Sequence, residues 1–161
     1  MSLVIANRQR TQKINSRSLR SIVSALFAEL KIERAELGIR LVGAREMARV
    51  NGRFLQHAGS TDVITFDHLD SDPALTPAAW QLHGELFICV DDAVAQAREF
   101  RTSWQSEVVR YVIHGVLHLR GYDDLQPRLR RRMKRKENRL LHRLARRFSL
   151  AELSSPARII A

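Results

Sequence analysis

Between Ser106 and Leu119 the chain reads SEVVRYVIHGVLHL, a strongly apolar run whose Val108, Val109, Val112, Val116 and Leu117 recur at helical spacing. Two histidines, His114 and His118, interrupt it four residues apart, and Gly121 follows as a stop signal. Residues four apart share one face of a helix, so any fold built on this run presents two imidazoles side by side.

Two neutral imidazoles so placed can grip one divalent cation. A third ligand from the same helix would point away, so the chain has to turn back. Gly121 permits that turn because glycine tolerates positive φ, and Asp124 then becomes available three residues on, a short carboxylate suited to zinc. The candidate metal ligands are His114, His118 and Asp124 in the pattern H-x3-H-x2-G-x2-D. Three protein ligands leave a coordination position open, which is the mark of a catalytic rather than a structural zinc site. A metal there polarises a phosphoryl oxygen and activates a bound water. Asp123 reads equally as a partner of a ligand histidine and as a turn aspartate.

The rest of the chain supplies a scaffold of ordinary kind. LVIA at 3–6, LGIRLV at 37–42, TDVITF at 61–66 and GELFICV at 84–90 read as strands. A helix from Ser16, with Ser16 as N-cap, carries Leu19, Ile22, Val23, Leu26 and Leu30; a short one runs from Ala44 to about Arg53. Asp91 or Asp92 caps a helix containing Val94, Ala97 and Phe100, and 67–82, with Pro73 and Pro77, is the longest irregular stretch. Pro127 opens a last helix with an apolar stripe at Leu129, Met133, Leu140, Leu141 and Leu144. The order predicts an α+β single domain: a mixed sheet of about four strands, about five helices and a zincin-like metal helix, with residues 1–148 as the domain and 149–161 as a C-terminal tail.

No run approaches the roughly 18 apolar residues of a membrane span. The single cysteine, Cys89, lies in an apolar run, so it reads as a buried inert thiol and fits a reducing cytoplasm. Charge is more telling. From Arg128 to Arg147 there are eleven Lys/Arg and one acidic residue, Glu137; removing these from the 27 basic and 17 acidic residues leaves 16 of each. Nearly the whole net charge of +10 therefore sits on one helix. A concentrated basic face suits a partner rich in phosphates, and Arg128, Arg131, Arg132, Arg135 and Arg139 are the candidate RNA-binding residues. Glu137, on the inner side, would pair with an arginine or lean towards the metal.

HGVLHLRGYDD resembles the H-G-x-L-H-L-x-G-Y-D-H signature of the YbeY family of bacterial rRNA-maturation endoribonucleases, matching at His114, Gly115, Leu117, His118, Leu119, Gly121, Tyr122 and Asp123. Asn51, Phe54 and STDVITF at 60–66 are similar to the family's N-x-x-[YF]-R…TDVLSF stretch, and GELFICVDDAVAQARE to its G-[DE]-I-x-I segment. The resemblance implies a single-strand-selective ribonuclease acting on small-subunit rRNA and in ribosome quality control, with one zinc-like metal. The chain departs from the family in two places. The third histidine is Asp124, and the arginine after the aromatic falls at Leu55, leaving Arg53 as a candidate substitute.

Other classes fit parts of the pattern. A metallopeptidase of the H-E-x-x-H kind would need glutamate at 115, where glycine stands. Two histidines and a carboxylate also form the facial triad of non-haem iron oxygenases. A ribosome-assembly factor whose metal only clips Asp124 to the helix is the third. His57 reads as a surface histidine, Tyr122 as half-buried with a wet hydroxyl, and Thr61 and Asp62 as capping residues.

Overall fold

The computed structural model describes residues 1–54, 61–71 and 81–154. Strand β1 (Ser2–Asn7) runs parallel to β2 (Ala35–Val42), so the chain between them crosses over, through helix α1 (Ser16–Glu29). The side chain of Asn15, not Ser16, caps α1, accepting from the amides of Arg17 and Ser18; Ser16 is the first helical residue. Helix α2 (Ala44–Phe54) follows, then β3 (Val63–Asp67), the one-turn α3 (His68–Ser71) and β4 (Leu82–Cys89). β4 pairs parallel with β2 and antiparallel with β3, giving the order β1-β2-β4-β3. This is the expected four-stranded mixed sheet. Thr61 and Asp62 stand just before β3, where Asp62 Oδ1 accepts from the Val63 amide at 2.8 Å. The stretch expected to be irregular holds α3 and the start of β4; its residues 72–80, and His57 and Leu55 earlier, lie outside the described residues.

Helices α4 (Val90–Phe100), α5 (Trp104–Leu119) and α6 (Pro127–Arg147) complete the body, and a 3-10 turn at Leu150–Leu153 closes on it with Leu153 buried. Neither Asp91 nor Asp92 caps α4, whose N-cap is Cys89 without a side-chain bond. Asp91 spends its carboxylate elsewhere, accepting from the Ala44 amide at 2.6 Å at the start of α2. Phe100, expected inward, is 63% exposed because it is the last residue of α4 before Arg101 turns the chain at φ 56°.

Ala35, Leu37, Ile39 and Leu41 of β2, with Leu82, Leu86 and Ile88 of β4, form the apolar face of the sheet. On it lies α5, buried at Val108, Val109, Val112, Ile113, Val116 and Leu117, flanked by α1, α4 and α6. A helix apolar on nearly every side is stable only when other elements surround it. α2 covers part of the opposite face through Met47 and Val50 on Val42, Ile64 and Cys89. Burial pushes the Cys89 thiol up to about 12, so it is an inert core residue.

Candidate metal centre

The C-terminal half of α5 packs on β4 through Gly115 and Leu119 and leaves His114 and His118 half-buried on another face. His114 and His118 stand there with their rings edge to face, 4.7 Å between centroids, and their Nε2 atoms 3.1 Å apart. After α5 ends, Gly121 adopts φ +94°, and the reversal brings Asp124 back over the helix. Its Oδ2 lies 3.7 Å from His114 Nε2 and 3.6 Å from His118 Nε2. Tetrahedral ligands bound at about 2.0–2.1 Å stand roughly 3.3 Å from one another, so these three separations bracket what one zinc-sized ion requires. The two Nε2 atoms stand 3.1 Å apart: either a proton shared between them or a cation held by both lone pairs satisfies the contact, and with Asp124 Oδ2 at 3.6–3.7 Å the three donors fit a metal.

The other ring nitrogens are held by acceptors. His118 Nδ1 donates to the Tyr122 carbonyl at 3.0 Å and His114 Nδ1 donates to Glu137 Oε2 at 2.9 Å. A carbonyl and a carboxylate can only accept, so both protons sit on Nδ1 and both Nε2 lone pairs point into the site. Glu137 is thus the partner of a ligand histidine. Its side chain, 3% exposed, also accepts from Arg110 Nη1 at 3.1 Å and Lys134 Nζ at 3.3 Å. Asp123 instead accepts from the Leu125 amide at 2.9 Å, a turn role.

Burial pulls the His114 pKa down, but the hydrogen bond and charge of Glu137, with Asp62 and Asp124 beyond it, raise it above the usual imidazole range. Burial pushes Glu137 up, and the His114 bond, the Lys134 charge and the Arg110 bond together hold it below the usual carboxylate range. Both shifts describe one ion pair in the metal-free site.

Gly115 faces inward. A Cβ there would stand 2.5 Å from Leu86 Cδ2, a fully buried core residue, so the backbone of α5 touches β4 at this point. The position where a metallopeptidase carries its general base has no room for any side chain.

A cavity of about 490 Å³ adjoins the histidines. Its wall includes His114 and Asp124, with Arg130, Arg131 and Lys134 of α6 beside them. Arg130 also donates from Nε to the Asp124 carbonyl at 3.1 Å, tying the ligand turn to the basic helix. Of the expected RNA-binding residues only Arg131 lines this cavity; Arg128, Arg135 and Arg139 are exposed on α6, and Arg132 lies over the Tyr122 ring at 5.8 Å. Arg53 is exposed on α2 with its guanidinium 5.5 Å from the Phe54 ring, and is not among the residues lining the cavity. Sequence reasoning missed Arg110, Arg130 and Lys134. Arg110 precedes His114 by four residues, a helical spacing that places both on one face.

A family model described as Endoribonuclease YbeY matches residues 4–145. The chain belongs to the YbeY family. Two relatives named Endoribonuclease YbeY show how far the likeness extends. The protein of Chlorobium luteolum is 34% identical over 146 residues, 91% of this chain and 100% of its own length. That of Salinibacter ruber is 30% identical over 141 residues, 87% of this chain and 90% of its own. The solution structure of a Thermotoga maritima protein superposes with a TM-score of 0.64 at 25% identity, covering 98% of this chain and 99% of that one. In this YbeY-family chain Asp124 stands within reach of both histidines, so the three residues form a group that could hold a metal ion.

Proposed function

We propose that this YbeY protein is a zinc-dependent endoribonuclease that cuts single-stranded RNA in the cytoplasm, acting in maturation of small-subunit rRNA and in ribosome quality control. The observation that carries the reading is the cluster of His114, His118 and Asp124, two of which, His114 and Asp124, line a cavity edged by Arg130, Arg131 and Lys134. The names of the relatives support the activity on RNA. Among the described residues, no helix is long and apolar enough to cross a membrane.

In this reading the two Nε2 lone pairs and the Asp124 carboxylate hold the ion. When bound, it supplies a Lewis acid for a phosphoryl oxygen and lowers the pKa of a coordinated water. Glu137 and the Tyr122 carbonyl keep each imidazole in the tautomer that can ligate. Arg131, Arg130 and Lys134 hold the phosphate backbone at the opening, and Arg128, Arg132, Arg135 and Arg139 extend that track along α6 as sequence-independent contacts. No titratable group at 115 can act as the base of peptide hydrolysis, which favours phosphodiesters over peptides.

The test compares metal-loaded protein, chelated protein and the His114→Ala/His118→Ala variant on single-stranded RNA, duplex RNA and a denatured protein. Cutting of the single strand only, lost on chelation and in the variant, is expected, with zinc bound one per chain. Peptide cleavage overturns the reading. Tight RNA binding that falls steeply with salt but yields no cutting assigns the chain to assembly rather than cleavage.

A further inference from the structure

The turn that carries Asp124 has little to hold it. Its start is fixed to α5 by the Gly121 and Tyr122 amides, which donate to the His118 and Leu117 carbonyls at 3.0 Å each. Beyond that point it stands clear of the body. A Cβ on Gly121 would meet nothing within 4 Å, Leu125 is 82% exposed, and the Asp123 carboxylate bonds within the turn. Among the described residues, one hydrogen bond reaches the Asp124 backbone from outside the turn. Arg130 Nε donates to its carbonyl at 3.1 Å.

Arg130 is exposed and lines the cavity together with Asp124. A guanidinium presents five N–H donors in one rigid plane. Nε is occupied by the turn, and the end bearing both Nη groups has no partner among the described residues. Two parallel N–H groups of that kind match the oxygens of a phosphate. The other cations of this cavity wall lack the double engagement. Lys134 bonds Glu137 at 3.3 Å, and Arg131 bonds nothing among the described residues.

We infer that Arg130 is a positioning residue that couples RNA to the metal: its Nη end holds a backbone phosphate while its Nε holds the Asp124 carbonyl, and with it the third ligand, at the histidines. The inference rests on the endoribonuclease reading. An exposed arginine loses much rotamer freedom when fixed, so its bond to the turn is weak while nothing else holds the side chain. A phosphate on the Nη end meets that ordering cost, and the bond to the Asp124 carbonyl then forms with little further loss of entropy. Coupling of this kind is reciprocal. A cation held by His114, His118 and Asp124 fixes the turn, and the fixed carbonyl in turn holds the guanidinium ready for the strand. Lysine cannot take both partners in one rigid plane, because its ammonium is a point charge on a flexible stem.

Chelator competition on the full-length protein, with and without a single-stranded 2′-O-methyl oligoribonucleotide, measures the coupling. In the parent the strand should tighten zinc about tenfold, and zinc should tighten the strand by the same factor. Arg130→Lys keeps the charge and should bring both factors to about twofold, with the salt dependence of strand binding unchanged. Arg131→Ala removes a charge from the same cavity without touching the turn. It should weaken the strand and lower the salt slope by about one, with the tenfold coupling retained. Contact between a phosphate and the metal itself survives both substitutions, so the difference between the variants reports on Arg130 alone. Coupling that persists in Arg130→Lys, or that falls equally in Arg131→Ala, overturns the inference. A parent whose zinc affinity ignores the strand overturns it too, and if that parent cuts RNA the endoribonuclease reading stands. Coupling lost only in Arg130→Lys, in a protein that never cuts RNA, upholds the role of Arg130 and overturns the endoribonuclease reading instead.

Discussion

Replacing Glu137 by glutamine alters one atom of a buried side chain and sets three partners against one another. The carboxylate accepts from His114 Nδ1 on Oε2, and from Arg110 and Lys134 on Oε1. A glutamine has one acceptor and one donor end. With its oxygen towards His114, the amide NH2 meets the Arg110 and Lys134 donors. With its oxygen towards Arg110, the NH2 meets Nδ1, which must then accept, and the histidine proton moves to Nε2, where it blocks the metal. Either orientation loses at least one charge-assisted bond, worth about 1.5–3 kcal/mol each when buried. Arg110 and Lys134 are 23% and 58% exposed and regain water contacts, and Arg110 keeps Asn138. The destabilisation of metal-free protein should therefore be about 1–3 kcal/mol. Zinc affinity should fall about 10–100-fold, the usual consequence of losing a ligand's orienting partner. Chelator competition measures the affinity, and denaturant unfolding in excess chelator measures the stability. A variant that unfolds earlier yet binds zinc as tightly as the parent would refute the orienting role of Glu137 and leave it a structural ion pair.

Two further outcomes follow from the same geometry. Gly115→Ala should cost about 1–3 kcal/mol of stability, because the added methyl meets Leu86 at 2.5 Å inside a packed core; an unchanged denaturation midpoint would show that β4 and α5 can part at no cost. The His114–Glu137 pair makes stability depend on pH in opposite senses with and without metal. The His114 pKa is raised from 6.5, so its contribution is complete below 6.5 and is lost as pH rises through the higher folded value. Glu137 is lowered from 4.5, so its contribution is present above 4.5 and lost as pH falls through the lower folded value. Metal-free protein should thus lose Tm as pH rises above 6.5, a loss absent from His114→Gln, while zinc affinity rises in the same direction as protons leave the ligands. Parallel pH profiles for the two forms would exclude the pair as their cause.

The clustering of His114, His118 and Asp124 was legible in the sequence because helix geometry and a single glycine place all three within eleven residues, 114 to 124. The strands were legible for a similar reason, since both the alternating 37–42 run and the apolar 84–90 run belong to strands whose positions alternate buried and half-buried. Glu137 was half legible: as the only acid in a basic helix it had to be neutralised, but its bond to His114 spans 23 residues. That Tyr111, Gln96 and Asp62 line one cavity with His114 was not legible, because they come from α5, α4 and the approach to β3 and are brought together only by packing of helices on the sheet. The capping of α2 by Asp91, 47 residues away, escaped for the same reason. Aspartates near a helix start imply a local cap, and tertiary contact overrode it.

The position of α5 also bears on how the chain is made. The apolar face of the sheet is built from residues before Cys89, but the helix that covers it begins at Trp104 and packs against α6, which ends at Arg147. During synthesis the strands emerge with only α1 beside them, and a parallel pairing such as β1 with β2 gains most of its burial only when α5 arrives. A nascent chain therefore keeps much of that face uncovered until α5 and α6 have emerged. The candidate ligands His114, His118 and Asp124 all lie in this late segment, so they come together only after the sheet that supports them has been made.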